Sequence, residues 1–419
     1  MNILYFNRMK HIVLILVIIS SCFGVKAQFT MPFEELVHEG TWLQWPHNFT
    51  YGFGASDFEP AWIEMTSALI SGEKVHIVAY DESHKSHIED LLIGASVSMA
   101  QVNIIVAEND DFWIRDNGPI FVYDSESQLT VLDWGFNGWG GNTPSALCDD
   151  IPIAVADYLS VPLIDLNEMV LEGGAFEVDG HGTLMATRSS VTGADRNPGW
   201  TESEIEGYME EYLGVTNFVW FDGLFGGVED VTDQHIDGFA KFQGNNTIVT
   251  MSHIDLSYWQ VSVSDIALLY NSANSSGEQF EIVLLPLTQN DVTTTWGENL
   301  GLRASYVNYY VANNVVLVPN YNDPNDDVAN GIIQGLYPDR TVVGIDSRNI
   351  FFTGGMVHCI TQQQPIGETG VGLHELEALP EDKIIQIFDF LGREVENPKP
   401  GVLYLWLYES GFVKKGLAH

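Results

Sequence analysis

Five α/β units packed around a common centre, with a small β unit appended at the C-terminus, are the architecture that this 419-residue sequence predicts. Three observations carry the expectation. Helical patterns recur near 83–96, 144–158, 201–213, 261–273 and 325–336, with starts roughly 60 residues apart. A short apolar run of strand character follows each: 102–106, 161–166, 217–221, 281–287 and 341–345. Beyond residue 383 the pattern changes to strand, glycine turn, strand, which is a hairpin signal. A strand–helix–strand unit buries its apolar face only against neighbours, so five copies are expected to close on one another.

Taken in order, the chain opens on a targeting pattern. Lys10 precedes the apolar run Ile12 to Ile19, and Val25-Lys26-Ala27 forms a small-x-small box before Gln28, so 1–27 reads as a signal peptide. A start at Met9 gives that leader more ordinary proportions. The run is too short to cross a bilayer as a mature helix. Ile19-Ser20-Ser21-Cys22 offers a second reading, a lipoprotein site with Cys22 lipidated. Either way a secreted or cell-surface protein is expected. The main domain then runs over 28–370. Gly40-Thr41-Trp42-Leu43-Gln44-Trp45-Pro46 suggests an edge strand opening into a loop, with its tryptophans in the core or facing a ligand. Further β-rich runs, 129–134, 183–187, 247–251 and 315–319, fill the spaces between the five units. Residues 371–419 are a linker and the terminal β unit.

Composition narrows the function. With 45% apolar residues the chain has ample core. Its net charge of −40, from 57 acidic against 17 basic residues, excludes nucleic acid as a partner because nothing would neutralise the phosphates. The same field draws small cations, though adaptation to a salty exterior explains it equally well. Once the leader is removed, the cysteines are Cys148 and Cys359, which make no disulfide framework. An exported chain that keeps a lone thiol exposes it to oxidation, which favours a thiol that is used.

The polar motifs fall at matching places in the repeat. Trp113 to Pro119 follows the first post-helix strand, Leu171-Glu172-Gly173-Gly174 the second, and Asp230 to Gly238 the third. Ser305-Tyr306-Val307-Asn308 follows the fourth, and Gly354-Gly355-Met356-Val357-His358-Cys359 the fifth. In a closed array, equivalent positions face one central cavity. In that last stretch Phe351-Phe352 is expected to end a strand, and the two glycines turn the backbone to present Cys359 beside a potential cation, His358. One thiol, one imidazole and several carboxylates suit covalent attack on a cationic carbon. A guanidinium is planar and always charged, and needs carboxylates matched to its N–H fork. Asp116 and Asp237 are the expected clamp, Cys359 the nucleophile, and His235 the acid that protonates departing ammonia and then the base for water. On a strand, His235 and Asp237 would share one face. Taken singly, each has a plainer role: an Arg115–Asp116 ion pair, a turn cap at Glu172, a buried histidine, a structural cysteine. A metallohydrolase built on His235, Asp237 and Glu172 lacks a two-histidine spacing. A surface-displayed propeller that only binds requires a decayed site.

These motifs, together with Trp42-Leu-Gln-Trp-Pro-His-Asn48 and His358-Cys-Ile-Thr-Gln-Gln-Gln-Pro365, resemble the agmatine deiminase and bacterial, Porphyromonas-type peptidylarginine deiminase family over about 30–366. The resemblance implies the pentein fold, a five-bladed α/β-propeller with pseudo-fivefold repeats, and guanidine hydrolysis through an S-alkylthiouronium adduct without metal or cofactor. Position by position it implies Cys359 as nucleophile, His235 as acid/base, Asp116 and Asp237 as the clamp, and Glu172 as an active-site acid. Trp113, Trp42, Asn308 and Gly355 are the expected substrate-binding positions. Departures are Thr353 for a glycine, Met356-Val357 before His358, and Gln234-His-Ile-Asp-Gly238 where Gly-His-Val-Asp-Asn is usual; they bear on the substrate's tail. The Cys-Ile-Thr-Gln-Gln-Gln-Pro run favours agmatine, while export favours arginine in peptides; free arginine and amidino transfer are further options. Residues 383–419, with Leu391-Gly-Arg-Glu-Val395 and Pro400-Gly-Val402, resemble the C-terminal sorting domain of Bacteroidetes type IX secretion cargo, without its usual Pro-Asn-Pro segment. Type IX machinery is thereby an expected partner, and an ordinary terminal hairpin is the plainer alternative.

Overall fold

The structure, a computed structural model, describes residues 29–48, 54–224, 230–244 and 246–367, and in the tail 384–388, 393, 395, 399, 403–408 and 413–417. The expected leader with Cys22, and most of the linker, lie outside these residues. Five sheets form the main body, four of them built by one recipe. An antiparallel hairpin is followed by a helical crossover to a parallel strand. Phe176–Val178, Thr183–Thr187 and Asn217–Phe221 show it: the first two pair antiparallel, and the third returns parallel through helix Glu202–Leu213. A parallel neighbour demands a long crossover, and a helix is the compact way to make one. The recipe repeats with hairpin Ala240–Gln243/Thr247–Met251 and return strand Glu281–Leu285, and with Tyr310–Val311/Val315–Asn320 and Thr341–Asp346. Ile120–Asp124, Leu129–Gly135 and Leu163–Val170 give another copy, edged by Phe29–Thr30.

The fifth sheet closes the array. Gln362–Pro365 pairs antiparallel with His38–Gln44, which lies more than 300 residues earlier and continues through parallel Lys74–Ala79 and Val102–Val106. His38–Gln44 is therefore interior to its sheet, not the expected edge strand, because the C-terminal strand covers its free side. Helix Glu59–Leu69, which the sequence pattern did not disclose, makes the first crossover there, and Glu82–Gly94 makes the second.

Local signals explain the helices that were foreseen. Thr201 and Glu204 form a reciprocal capping box, Ile205, Met209 and Leu213 are buried at helical spacing, and Gly214 ends the helix at φ 75°. The expected helix over 144–158 begins only at Ile151, with Pro152 in its first turn, where a missing N–H costs nothing. Layers between sheets and helices fill with residues such as Trp62, Leu92, Met209 and Tyr309. Each fully buried aliphatic side chain contributes about 1.5–3 kcal/mol. In the tail, Ile384–Phe388, Leu403–Tyr408 and Val413–Leu417 form a three-stranded antiparallel sheet.

Candidate active site

Cys359 sits on a single 3-10 turn, His358–Ile360, immediately before the closing strand. Two glycines deliver it. Gly354 has φ 101°, a conformation that side chains resist, and a Cβ on Gly355 would lie 2.3 Å from the Trp113 ring. Phe351 and Phe352 end a short helix, Arg348–Phe352, not the strand expected there; the return strand has already finished at Asp346.

Asp116 and Arg115 lie side by side on the short helix Ile114–Asn117 and diverge. Arg115 reaches Gln363 Oε1 at 2.9 Å and Glu34 at 3.6 Å, so it forms no pair with its neighbour. Asp116 accepts from Trp139 Nε1 and from the Gly174 amide, both at 3.0 Å. His235 and Asp237 are held by a tight turn, Ile236–Gly238, not by the strand once expected. Asp233 and Gln234 enter that turn at φ 55° and 71°, left-handed values that cost side-chain-bearing residues energy. Gln234 stands where the resembling family usually has glycine.

His235 Nε2 is 2.7 Å from Glu172 Oε2, while its Nδ1 lies 3.6 Å from Asp116 Oδ1, too long for a hydrogen bond. Nδ1 is thus the nitrogen left for a substrate. Asp237 Oδ2 is 2.8 Å from His358 Nδ1 and 3.7 Å from the Cys359 sulfur. Asn308 holds the sulfur from the other side, its Nδ2 at 3.3 Å from Sγ. Gly174 locates the meeting point: a Cβ there would lie 2.7 Å from Asp116 Oδ1, 2.7 Å from His235 Nδ1 and 3.1 Å from Asp237 Oδ2.

The charges are sorted by environment. Burial lifts Asp116 to about 6, although His235 opposes the rise. Burial disfavours the charged imidazole of His235, yet Asp116 and the Glu172 hydrogen bond prevail and raise it to about 9. Burial also pushes at Asp237, but His358 wins and holds it below the usual carboxylate range. Burial, then the charges of Asp237 and Asp116, raise the Cys359 thiol well above its ordinary value. The sulfur is therefore held as a thiol, and a cation beside it would favour loss of its proton.

A cavity of about 680 Å3 opens onto His235, Asp237 and Cys359, with Met356, Trp259 and Phe351 among its walls. Asp116 and Glu172 flank the His235 ring, 3.6 Å from its Nδ1 and 2.7 Å from its Nε2. Arg196, which sequence reasoning did not single out, is fully buried and binds Glu172 Oε1 at 2.7 Å and Asp233 Oδ2 at 2.9 Å. Four expected substrate-binding residues do not line the cavity. Trp42 is sealed in the core, donating to Gln364 Oε1 and stacked on His76, because its strand is interior. Trp113 packs against Phe112 and the flat face of Gly355, so both are wall supports. Asn308 is fully buried and touches the sulfur instead. Among the described residues, no three His, Cys, Asp or Glu side chains converge as metal ligands.

Comparison with known proteins accords with this geometry. Residues 30–365 match the family profile described as Porphyromonas-type peptidyl-arginine deiminase. A Streptomyces coelicolor protein named "Putative agmatine deiminase" is 36% identical over 348 residues, 80% of this chain and 99% of that one. Among solved structures, the agmatine deiminase of Enterococcus faecalis superposes with a TM-score of 0.69 at 26% identity, covering 81% of this chain and 96% of that chain. The "Putative Arginine Deiminase" of Porphyromonas gingivalis gives 0.70 at 28% identity, covering 81% and 99%. With five sheets that each combine an antiparallel pair with a parallel neighbour, and a family match across nearly all of them, the chain belongs to the Porphyromonas-type peptidyl-arginine deiminase family.

Proposed function

We propose that this guanidine hydrolase acts on agmatine, giving N-carbamoylputrescine and ammonia through a covalent adduct on Cys359. The observation that carries the reading is the convergence of Asp116 Oδ1, His235 Nδ1 and Asp237 Oδ2 on one point, with the Cys359 sulfur 3.7 Å from that Asp237 oxygen. Two carboxylates there receive the N–H fork of a guanidinium and leave its carbon open to attack. Entry of the cation offsets the negative charge around Cys359, so the thiol gives its proton to solvent as the substrate binds. The sulfur adds to the guanidinium carbon. His235, protonated and held through Nε2 by Glu172, gives its Nδ1 proton to the departing ammonia. The neutral imidazole then takes a proton from water, which attacks the S-alkylthiouronium carbon; the C–S bond breaks and the ureido product leaves.

Curated relatives and a solved structure bearing the agmatine deiminase name support this substrate. Arginine within peptides is the second reading. It is favoured by partly exposed Val231, Tyr258 and Leu302 at the cavity, more apolar surface than an aminobutyl tail covers. The test is ammonia release from agmatine, free arginine and a peptide with internal arginine, with Cys359→Ala alongside. Agmatine should be turned over at the highest kcat/KM, and Cys359→Ala should release none while staying folded. Full activity in that variant ends the mechanism, and preference for the peptide replaces the substrate. The signal-peptide pattern over 1–27 and the terminal pattern after 383 support export through type IX machinery to the surface or medium; the lipoprotein reading through Cys22 is the alternative.

A further inference from the structure

We propose that His358 is a positioning residue, whose ring, gripped between Asp237 and Glu34, fixes the Asp237 carboxylate and supplies the positive charge that offsets it beside the Cys359 sulfur. The inference rests on the guanidine-hydrolase reading above. His358 is 2% exposed. Its Nδ1 lies 2.8 Å from Asp237 Oδ2 and its Nε2 lies 2.8 Å from Glu34 Oε2. An ionised carboxylate only accepts, so both ring nitrogens donate, which only the imidazolium does. The same Asp237 oxygen is the one 3.7 Å from the sulfur.

The main chain of His358 is locked too. Its N–H donates to Asn308 Oδ1 at 2.9 Å, and its carbonyl accepts from Arg115 Nε at 3.3 Å. Asn308 in turn touches the sulfur. Glu34 is fixed from behind by Lys241 Nζ at 3.0 Å and the Val311 amide at 3.0 Å, and Lys241 also meets Glu177 at 3.2 Å. Charge therefore alternates through the buried centre: Asp237, His358, Glu34, Lys241, Glu177, with Arg115 flanking. These groups and Cys359 are the ionisable neighbours that His358 faces. Without the imidazolium, Asp237 and Glu34 confront each other with nothing between, and Asp237 repels a forming thiolate unopposed.

The experiment reads the thiol without substrate. Cys359 is alkylated with iodoacetamide at about pH 8.5 and followed on its own peptide by mass spectrometry, in the full chain and in His358→Gln and Glu34→Gln. The rate is expected to fall about tenfold in His358→Gln, equivalent to one pH unit less thiolate, and less in Glu34→Gln. Deiminase kcat/KM should fall about 10- to 100-fold in His358→Gln, the size of a lost charge-assisted hydrogen bond. Nitrogen-15 NMR of the unaltered protein should show an imidazolium at position 358, a readout that stands if His358→Gln fails to fold. Unchanged alkylation in both variants, or a neutral imidazole, overturns the proposal. Slower alkylation in a protein whose unaltered form hydrolyses no guanidine leaves the positioning role standing and removes the deiminase reading instead.

Discussion

Replacing Gly174 by alanine tests the centre of the argument with a single methyl group. Gly174 is the second glycine after Glu172, and its φ lies outside the left-handed range, so alanine is sterically tolerated by the backbone. The new Cβ would stand 2.7 Å from Asp116 Oδ1 and from His235 Nδ1, where ordinary contact begins at 3.4 Å. Each side chain must retreat by about 0.7 Å, and both are charged groups fixed by other partners. The methyl also occupies the place where the guanidinium is expected. A displacement near 1 Å in a reacting constellation costs about 100-fold in rate. Stability should move far less, because alanine lowers the entropy of the unfolded chain by about 0.4–1 kcal/mol and offsets part of the crowding. The assay is paired: ammonia release from agmatine, and thermal unfolding of the same preparation. The expected outcome is at least a 100-fold loss of kcat/KM with a midpoint within a few degrees of the parent. Activity within a few-fold of the parent would place the guanidinium elsewhere and refute the reasoning.

The pH profile and the tail provide two further tests. Asp116, raised to about 6, loses its charge as pH falls through that value, and His235, raised to about 9, loses its proton as pH rises through that value. The kcat/KM for agmatine should therefore be bell-shaped between about 6 and 9; a curve with no fall below about pH 6 contradicts the role given to Asp116, and one with no fall above about pH 9 the role given to His235. A chain ending at residue 370, expressed in a host with type IX machinery, should remain in the periplasm while the full chain reaches the surface or medium. Equal distribution of the two by cell fractionation removes the sorting role.

Much of the fold was legible because its signals are local. The strands Thr183–Thr187 and Asn217–Phe221 and the helix Glu202–Leu213 between them announce themselves through short apolar runs, capping and 3.6-residue spacing within a few dozen residues. Helix Glu59–Leu69 escaped notice because its buried set includes Glu59 and Thr66 beside Trp62 and Met65, which blurs the polar face. The misread edge strand has a nonlocal cause. Nothing near Trp42 reveals that Gln362 will pair with it, and that pairing turns a ligand-facing candidate into core. Small residues misled in a similar way: Gly355 sits next to the nucleophile in sequence, yet its bare face accommodates the Trp113 ring.

That Asp116, Glu172, His235, Asp237 and Cys359 come together was legible for a different reason. Thiol, imidazole and carboxylates must be those residue types, and the repeat places them at equivalent ends of successive units. The groups that govern their charge obey no such pattern. Arg196 reaches Glu172 across 24 residues, and Glu34 reaches His358 across 324. Each is recognisable only once the buried group of opposite charge that it serves has been located, because an uncompensated charge in that setting costs several kcal/mol, about the size of a domain's whole stability margin. A cluster of three acids around one thiol, read alone, predicts protonated carboxyls and an inert sulfur. Asp237 stays ionised because His358 lies against it, and Glu172 keeps its hold on His235 because Arg196 lies behind. The site's ability to receive a cation thus depends as much on these buried cations as on the carboxylates that touch it.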